Sequence, residues 1–127
     1  MTILGIGTDI VELDRISNLL ERFGQKFVHR ILSQDEQKAF ARSSNPVSYL
    51  AKRFAAKEAV AKALGTGIGQ EFAFNEISIT NLPSGKPEVS FIGRSKDSVD
   101  KRNIKEVMVS LSDEKAFALA FVVIVTY

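Results

Sequence analysis

The chain has 127 residues, a formal charge of +2, no cysteine and a single histidine, His29. Without cysteine there is no disulfide framework, zinc–thiolate site or thiol nucleophile, and one histidine argues against a Ser-His-Asp triad or a multi-histidine metal site. Any metal would take oxygen ligands, which points to Mg²⁺ or a similar hard cation, and the mild basicity falls short of a nucleic-acid footprint while permitting, without requiring, an anionic ligand or acidic partner.

A chain of this length forms one domain, residues 1–127, with a real hydrophobic core. Its first ten residues, MTILGIGTDI, lack the basic n-region and full apolar h-region of a signal peptide. Residues 2–11 read as a buried strand in which Gly5 and Gly7 mark close approach of another backbone or a ligand. Residues 14–23 form an amphipathic helix, with Ile16, Leu19, Leu20 and Phe23 at helical spacing and Gly24 as C-cap. Phe27, Val28, Ile31 and Leu32 continue the pattern in a short helix. SQDE at 33–36 is a capping box that opens a helix running to about Arg42. Asn45-Pro46 supplies an N-cap and a first-turn proline for a long helix, 46–64. Its Leu50, Phe54, Ala61 and Leu64 share one face, and Gly65 stops it.

The second half turns to strands. FAFNEISITN (72–81) alternates Glu76, Ser78 and Thr80 against Ile77 and Ile79. LPSGKP (82–87) is a turn, EVSFI (88–92) a strand, and 94–103 a short polar helix. EVMVSLS (106–112) places Val107, Val109 and Leu111 on one face, and Asp113-Glu114-Lys115 joins it as a hairpin to AFALAFVVIVTY. The apolar run Ala116–Val125 is ten residues, short of the roughly 18 of a membrane span. A soluble cytoplasmic protein is expected. That last strand is apolar on both faces, so both should be buried, by another subunit or by the chain's own helices.

Four stretches could carry chemistry or binding. Asp9 lies in an apolar strand, where a carboxylate must be paired, hydrogen-bonded, metal-bound or at a strand end capping a turn. Glu58 and Lys62 are spaced as an ordinary helix ion pair. Yet Arg53, Lys57 and Lys62 surround Glu58 on an alanine-rich helix, an arrangement suited to a metal-bound polyphosphate. The following GTGIG (65–69) could cradle an anion on successive N–H groups, or be a plain helix stop. Arg15 and Arg22 share a face of the first helix, near Lys26, His29 and Arg30, either as a solvated face or as a dock for an acidic protein.

Taken in order, GIGTDIVELDRI, AKRFAAKEAVAKALGTGIG, SGKPEV and VMVSLSDEKAFALAFVVI resemble the holo-acyl-carrier-protein synthases of the 4′-phosphopantetheinyl transferase superfamily, over residues 3–125. The G-x-D strand and the F-x-x-K-E-x-x-x-K helix are the specific motifs. The resemblance implies an α+β fold, mainly antiparallel sheet packed against a long helix and shorter helices. It also implies transfer of 4′-phosphopantetheine from coenzyme A to a serine of apo-acyl carrier protein, with release of 3′,5′-ADP, in fatty acid biosynthesis. Asp9 and Glu58 would be Mg²⁺ ligands, and Lys62 would complete the catalytic set at the diphosphate. Arg53, Lys57, Gly65, Thr66, Gly67, Lys86, Pro87 and Ser112 would border coenzyme A, while Arg15 and Arg22 would dock the carrier protein. Many members have histidine after the S-[IL]-[ST] strand; this chain has Asp113. A homotrimer with active sites between subunits is implied as well. The alternative is a non-catalytic coenzyme A or nucleotide-binding module, which would not require Asp9.

Overall fold

A computed structural model describes residues Met1–Tyr127. Its elements run β1 (Thr2–Glu12), α1 (Leu13–Phe23), α2 (Gln25–Ile31), α3 (Gln34–Arg42), α4 (Pro46–Leu64), β2 (Ile77–Asn81), β3 (Pro87–Phe91), α5 (Gly93–Lys101), β4 (Ile104–Asp113) and β5 (Phe117–Thr126). The expected α+β architecture is present. One antiparallel sheet has the order β1-β5-β4, and β2 and β3 form a separate antiparallel pair.

The helix boundaries follow local chemistry. Ser33 Oγ accepts from the Glu36 amide while the Glu36 carboxylate accepts from the Ser33 amide, so two orphan donors at the start of α3 are satisfied reciprocally. Asn45 Oδ1 accepts from the Ser48 amide and Pro46 fills the first turn of α4. Gly65 ends that helix at φ 76°, a left-handed conformation that costs glycine little.

Helix α4 is the centre of the molecule. It packs on β1 and β5 on one side and on α1, α2 and α3 on others. Its buried residues therefore extend well beyond the single face expected from Leu50, Phe54, Ala61 and Leu64: Ala51, Ala55, Ala56, Ala59, Val60 and Ala63 are buried too. Alanine keeps the helix thin enough for neighbours on every side. The contact with β1 is backbone to backbone. A Cβ at Gly5 would run into the Ala63 carbonyl oxygen, and one at Gly7 into the Ala59 carbonyl oxygen. The two glycines thus mark close approach of a helix, one of the two meanings their sequence allows.

Two segments differ from expectation. Strand β2 starts at Ile77, because Phe74–Glu76 form a turn of 3-10 helix. Within it Ser78 is buried beside Ile77 and Ile79, and its hydroxyl shares a 2.7 Å hydrogen bond with Ser33 Oγ. In β5, the central strand, Ala118, Ala120, Val122 and Ile124 are buried against the helix side. The other side stays open: Phe117, Leu119 and Phe121 are exposed, alongside Ile6 and Ile10 of β1 and Met108 of β4. The chain's own helices therefore cover only one face of that strand.

Since the obstacle at Gly7 is a helix backbone rather than a flexible side chain, Gly7→Ala should destabilise the fold by about 1–3 kcal/mol. Thermal unfolding reads this directly. An unchanged Tm would mean that the helix–strand separation is not set by this glycine.

Candidate active site

Gly5, Gly7 and Asp9 alternate along β1 and so point to the same side, towards α4. Asp9 therefore arrives beside the C-terminal half of that helix. Its Oδ1 accepts from Lys62 Nζ at 2.9 Å, and the same ammonium reaches the Thr8 carbonyl at 3.0 Å. The Asp9 side chain is 16% exposed and that of Lys62 55%, so the carboxylate is fixed in the wall while the ammonium stands at the mouth. Glu58, one turn before Lys62, has its carboxyl pushed above the usual range, first by burial and then by the charge of Asp9. Lys62 and Arg15 pull it the other way without cancelling the rise. Two carboxylates in one field are a pair of oxygen donors that could hold a hard cation. No cluster of three metal-binding side chains exists in the chain, so a cation here would complete its shell from ligand oxygens and water.

Glu58 also reaches a second feature. It borders a cleft between α1, α2 and α4 lined by Arg15, Lys26, Arg30, Leu19, Phe27 and Phe54. The floor is apolar and the rim is basic. Arg15 lies 5.4 Å from the Phe54 ring centroid, and Arg22 lies over Phe23 on the outer end of α1. Arg15 therefore shares a cleft with Glu58, whereas Arg22 stands over Phe23, one of the residues lining that cleft.

Lys57 is a correction. Expected at a ligand's phosphates, it is instead fully buried, and its three N–H donors are all taken. They go to Glu36 Oε1 at 2.5 Å, the Ile31 carbonyl at 2.6 Å and the Phe74 carbonyl at 2.9 Å. Burial pulls its pKa down to about 8, against the opposing pull of Glu36. A lysine with no exposed surface and no free donor cannot meet a phosphate.

Arg53 sits on another side of α4. Its Nη2 donates to Asn81 Oδ1 at 2.9 Å and to the Ile79 carbonyl at 3.3 Å, and its guanidinium lies 4.4 Å from the Tyr49 ring centroid. Its Nε is buried without a partner. The adjoining cleft also carries Lys38, Arg42 and Lys52, so this end of the helix is strongly cationic. Lys52 pairs with Asp113 at 3.5 Å, and Ser48 Oγ donates to Asp113 Oδ2 at 2.8 Å. Those contacts, the Ser48 bond foremost, hold the Asp113 carboxyl below the usual carboxylate range. Ser112, next to it on β4, is exposed.

The glycine loop offers less than its sequence suggests. The amides of Gly65 and Gly67 turn back onto the Ala61 carbonyl, at 3.0 and 3.4 Å, and that of Gly65 also meets the Lys62 carbonyl at 3.1 Å. These groups close the helix rather than cradle an anion, and a helix C-terminus carries the wrong partial charge for phosphate. Thr66 stays exposed between them. Lys86, in the β2–β3 turn, and Pro87, the first residue of β3, line a cleft between β3 and β4 that neither Asp9 nor Glu58 borders.

The chain is similar to known proteins over nearly its whole length. Residues 5–122 match the model of the 4′-phosphopantetheinyl transferase superfamily. A holo-acyl-carrier-protein synthase of Shewanella oneidensis is 45% identical over 124 residues, covering 98% of both chains. The crystal structure of the synthase from Neisseria meningitidis superposes with a TM-score of 0.94 at 47% identity, covering 98% of this chain and 100% of that one. The Bacillus anthracis synthase, solved in complex with CoA (3′,5′-ADP), gives 0.84 at 38% identity over the full length of both. This chain belongs to the 4′-phosphopantetheinyl transferase superfamily. Within the superfamily fold, sequence reasoning missed three cations near this end of α4, Lys38, Arg42 and Lys52, and the neutral Asn81 that accepts from Arg53. Only the i,i+4 spacing of Lys38 and Arg42 hinted at them.

The shared field of the two carboxylates can be read by NMR titration of the Glu58 carboxyl. Asp9→Asn removes a charge that raises the Glu58 pKa and frees Lys62, which lowers it, so the Glu58 pKa should fall. An unmoved titration would show that the two groups do not share a site.

Proposed function

We propose that this protein transfers the 4′-phosphopantetheine arm of coenzyme A to a serine hydroxyl of an apo-acyl carrier protein, releasing 3′,5′-ADP, and so serves fatty acid synthesis. The observation that carries this reading is the Asp9–Glu58 pair with Lys62 beside it. A module that only bound coenzyme A would have use for the cationic side of α4 but none for two mutually repelling carboxylates.

In the transfer, the serine Oγ forms a bond to the pantetheine-side phosphorus and loses its proton. The bond from that phosphorus to the bridging oxygen breaks, and the nucleotide leaves with the oxygen. Such a reaction needs positioning and charge neutralisation above all. Asp9 and Glu58 would hold Mg²⁺, which when bound supplies positive charge against the diphosphate. Lys62, exposed and anchored only at its tip, would turn from Asp9 to the leaving phosphate. Arg53, lining a cleft among further cations, would take phosphate at the nucleotide end, with Thr66, Lys86, Pro87 and Ser112 bordering the nucleotide. Arg15 and Arg22 would receive the acidic carrier protein, whose serine then enters past Glu58. The absence of cysteine and of any helix long and apolar enough to cross a membrane suits work in the cytoplasm.

The two charged ends cannot serve one ligand from one chain. Arg53 and Lys62 are nine residues apart, so at about 100° per residue they leave α4 on sides about 180° apart. A site built from the Lys62 side of one subunit and the Arg53 side of the next removes the conflict. The open sheet face, with Ile6 63%, Ile10 58% and Phe121 44% exposed, is the natural contact between copies. A homotrimer, as the family resemblance implies, satisfies both.

Mass spectrometry of apo-acyl carrier protein incubated with coenzyme A, Mg²⁺ and this protein should show the gain of one phosphopantetheine. Glu58→Ala should cut turnover by about 10²-fold or more while leaving the circular dichroism unchanged. Near-normal turnover in that variant would refute the carboxylate pair as the catalytic site. Separately, Phe121→Asp should convert the trimer to monomer in light scattering and abolish turnover. A wild-type monomer with full activity would rule out sites shared between subunits.

A further inference from the structure

A fully buried ion pair is a poor way to gain stability, since apolar residues of similar volume often do as well or better. Lys57 and Glu36 are both entirely buried, so their presence asks for another reason. Glu36 Oε1 accepts from Lys57 and from the Ser33 amide, while Oε2 accepts from the Ile79 amide at 2.8 Å. The same Ile79 accepts Arg53 Nη2 on its carbonyl. Ile79 lies on the edge of β2 that no strand covers, since β2 pairs with β3 alone. Its amide and carbonyl would be orphans there, and two side chains from different helices satisfy them. Beyond Arg53 the contacts continue. Asn81 accepts from the guanidinium, and its own Nδ2 donates to the Gly85 carbonyl, next to Lys86.

We propose that Glu36 is a positioning residue for Arg53, acting through the Ile79 peptide and held in its orientation by Lys57. Glu36 fixes where the edge of β2 stands, and the carbonyl of that edge fixes the guanidinium. This holds the guanidinium in the wall of the cationic cleft, beside Lys38, Arg42 and Lys52, while Asn81 ties it to the turn that carries Lys86. Lys57 is one residue before Glu58 in α4, so the pair that aligns Arg53 also sets the rotation of the helix that presents Glu58. The proposal rests on the reading of Arg53 as a nucleotide-phosphate group.

The test is a double-mutant cycle read by calorimetric binding of 3′,5′-ADP to the full chain, with thermal unfolding alongside. Arg53→Ala should weaken binding about tenfold or more, the loss expected for a charge-assisted hydrogen bond. Glu36→Gln, which keeps the shape but removes the charge, should weaken binding about fivefold or more in the wild-type background. In the Arg53→Ala background it should add less than about twofold, because its effect passes through the missing guanidinium. If Glu36→Gln alone fails to fold, Glu36→Gln combined with Lys57→Met leaves no unpaired buried charge and takes its place in the cycle. Equal weakening in both backgrounds, or a fall in Tm with unchanged nucleotide affinity, would reduce Glu36 to a structural residue and overturn the proposal. Unchanged affinity in Arg53→Ala would remove Arg53 from the nucleotide site and the relay with it, while leaving the Asp9–Glu58 chemistry to stand on its own assay.

Discussion

The contact on which the rest depends is the packing of α4 directly against the backbone of β1. Only glycine permits it at two positions of the strand, where the Ala59 and Ala63 carbonyls occupy the space a Cβ would need. Ala59 and Ala63 are the residues that follow Glu58 and Lys62, and Asp9 is two residues beyond Gly7 on the same side of the strand. The close approach therefore does more than fill the core. It brings a strand carboxylate to a helix carboxylate and a helix ammonium with no long side chain needed to span a gap. A bulkier interface would hold the strand farther off and widen that separation.

The four charged residues of α4 between Arg53 and Lys62 show how one helix sorts charge by direction. Its surroundings differ on each side, so residues of like charge meet different fates. Lys57 turns inward and is neutralised by Glu36 and two carbonyls. Glu58 faces a half-buried cleft, where desolvation and Asp9 raise its pKa. Lys62 stands in the open, and Arg53 is stacked on Tyr49 in a cationic corner. Cost follows the same order. Lys57 is tolerable only because all three donors are met, since an ammonium left unpaired in that place would be destabilising by several kcal/mol.

Much of this was legible in the sequence, and the divide is physical. Caps are local, so Ser33–Glu36, Asn45–Pro46 and Gly65 announced the ends of α3 and α4 directly. The glycine pair in β1 was legible as a close approach because few other constraints favour glycine inside a strand. Lys57 was not. Its spacing in a cationic cluster reads like that of a phosphate ligand, and its partner Glu36 lies 21 residues earlier. The capping box explained Glu36 so well that no second role suggested itself. The same holds for Ser78, whose alternation with isoleucines reads as solvent-facing, while its partner Ser33 is 45 residues distant. The anion-cradle reading of the glycine loop failed for a local reason instead. A helix C-terminus has carbonyls to satisfy, and the nearest amides go to them first.

The open sheet face and the opposed directions of Arg53 and Lys62 bear on the same point from independent physics. One is a matter of solvation: a contiguous outer face with Ile6, Ile10, Leu119 and Phe121 exposed is unfavourable in water for a chain whose other sheet face is well packed. The other is a matter of geometry: about 180° around the helix axis separates the direction of Lys62 from that of Arg53. Coenzyme A has its diphosphate and nucleotide phosphate joined by a short ribose, so groups that grip both must converge from nearby. Within one chain the body of α4 and its packing stand between them. Association through the sheet would bury the apolar surface, and a second copy is the simplest source of the missing half of the grip. On that view the apolar outer face belongs to the chemistry as much as to the stability of the assembly.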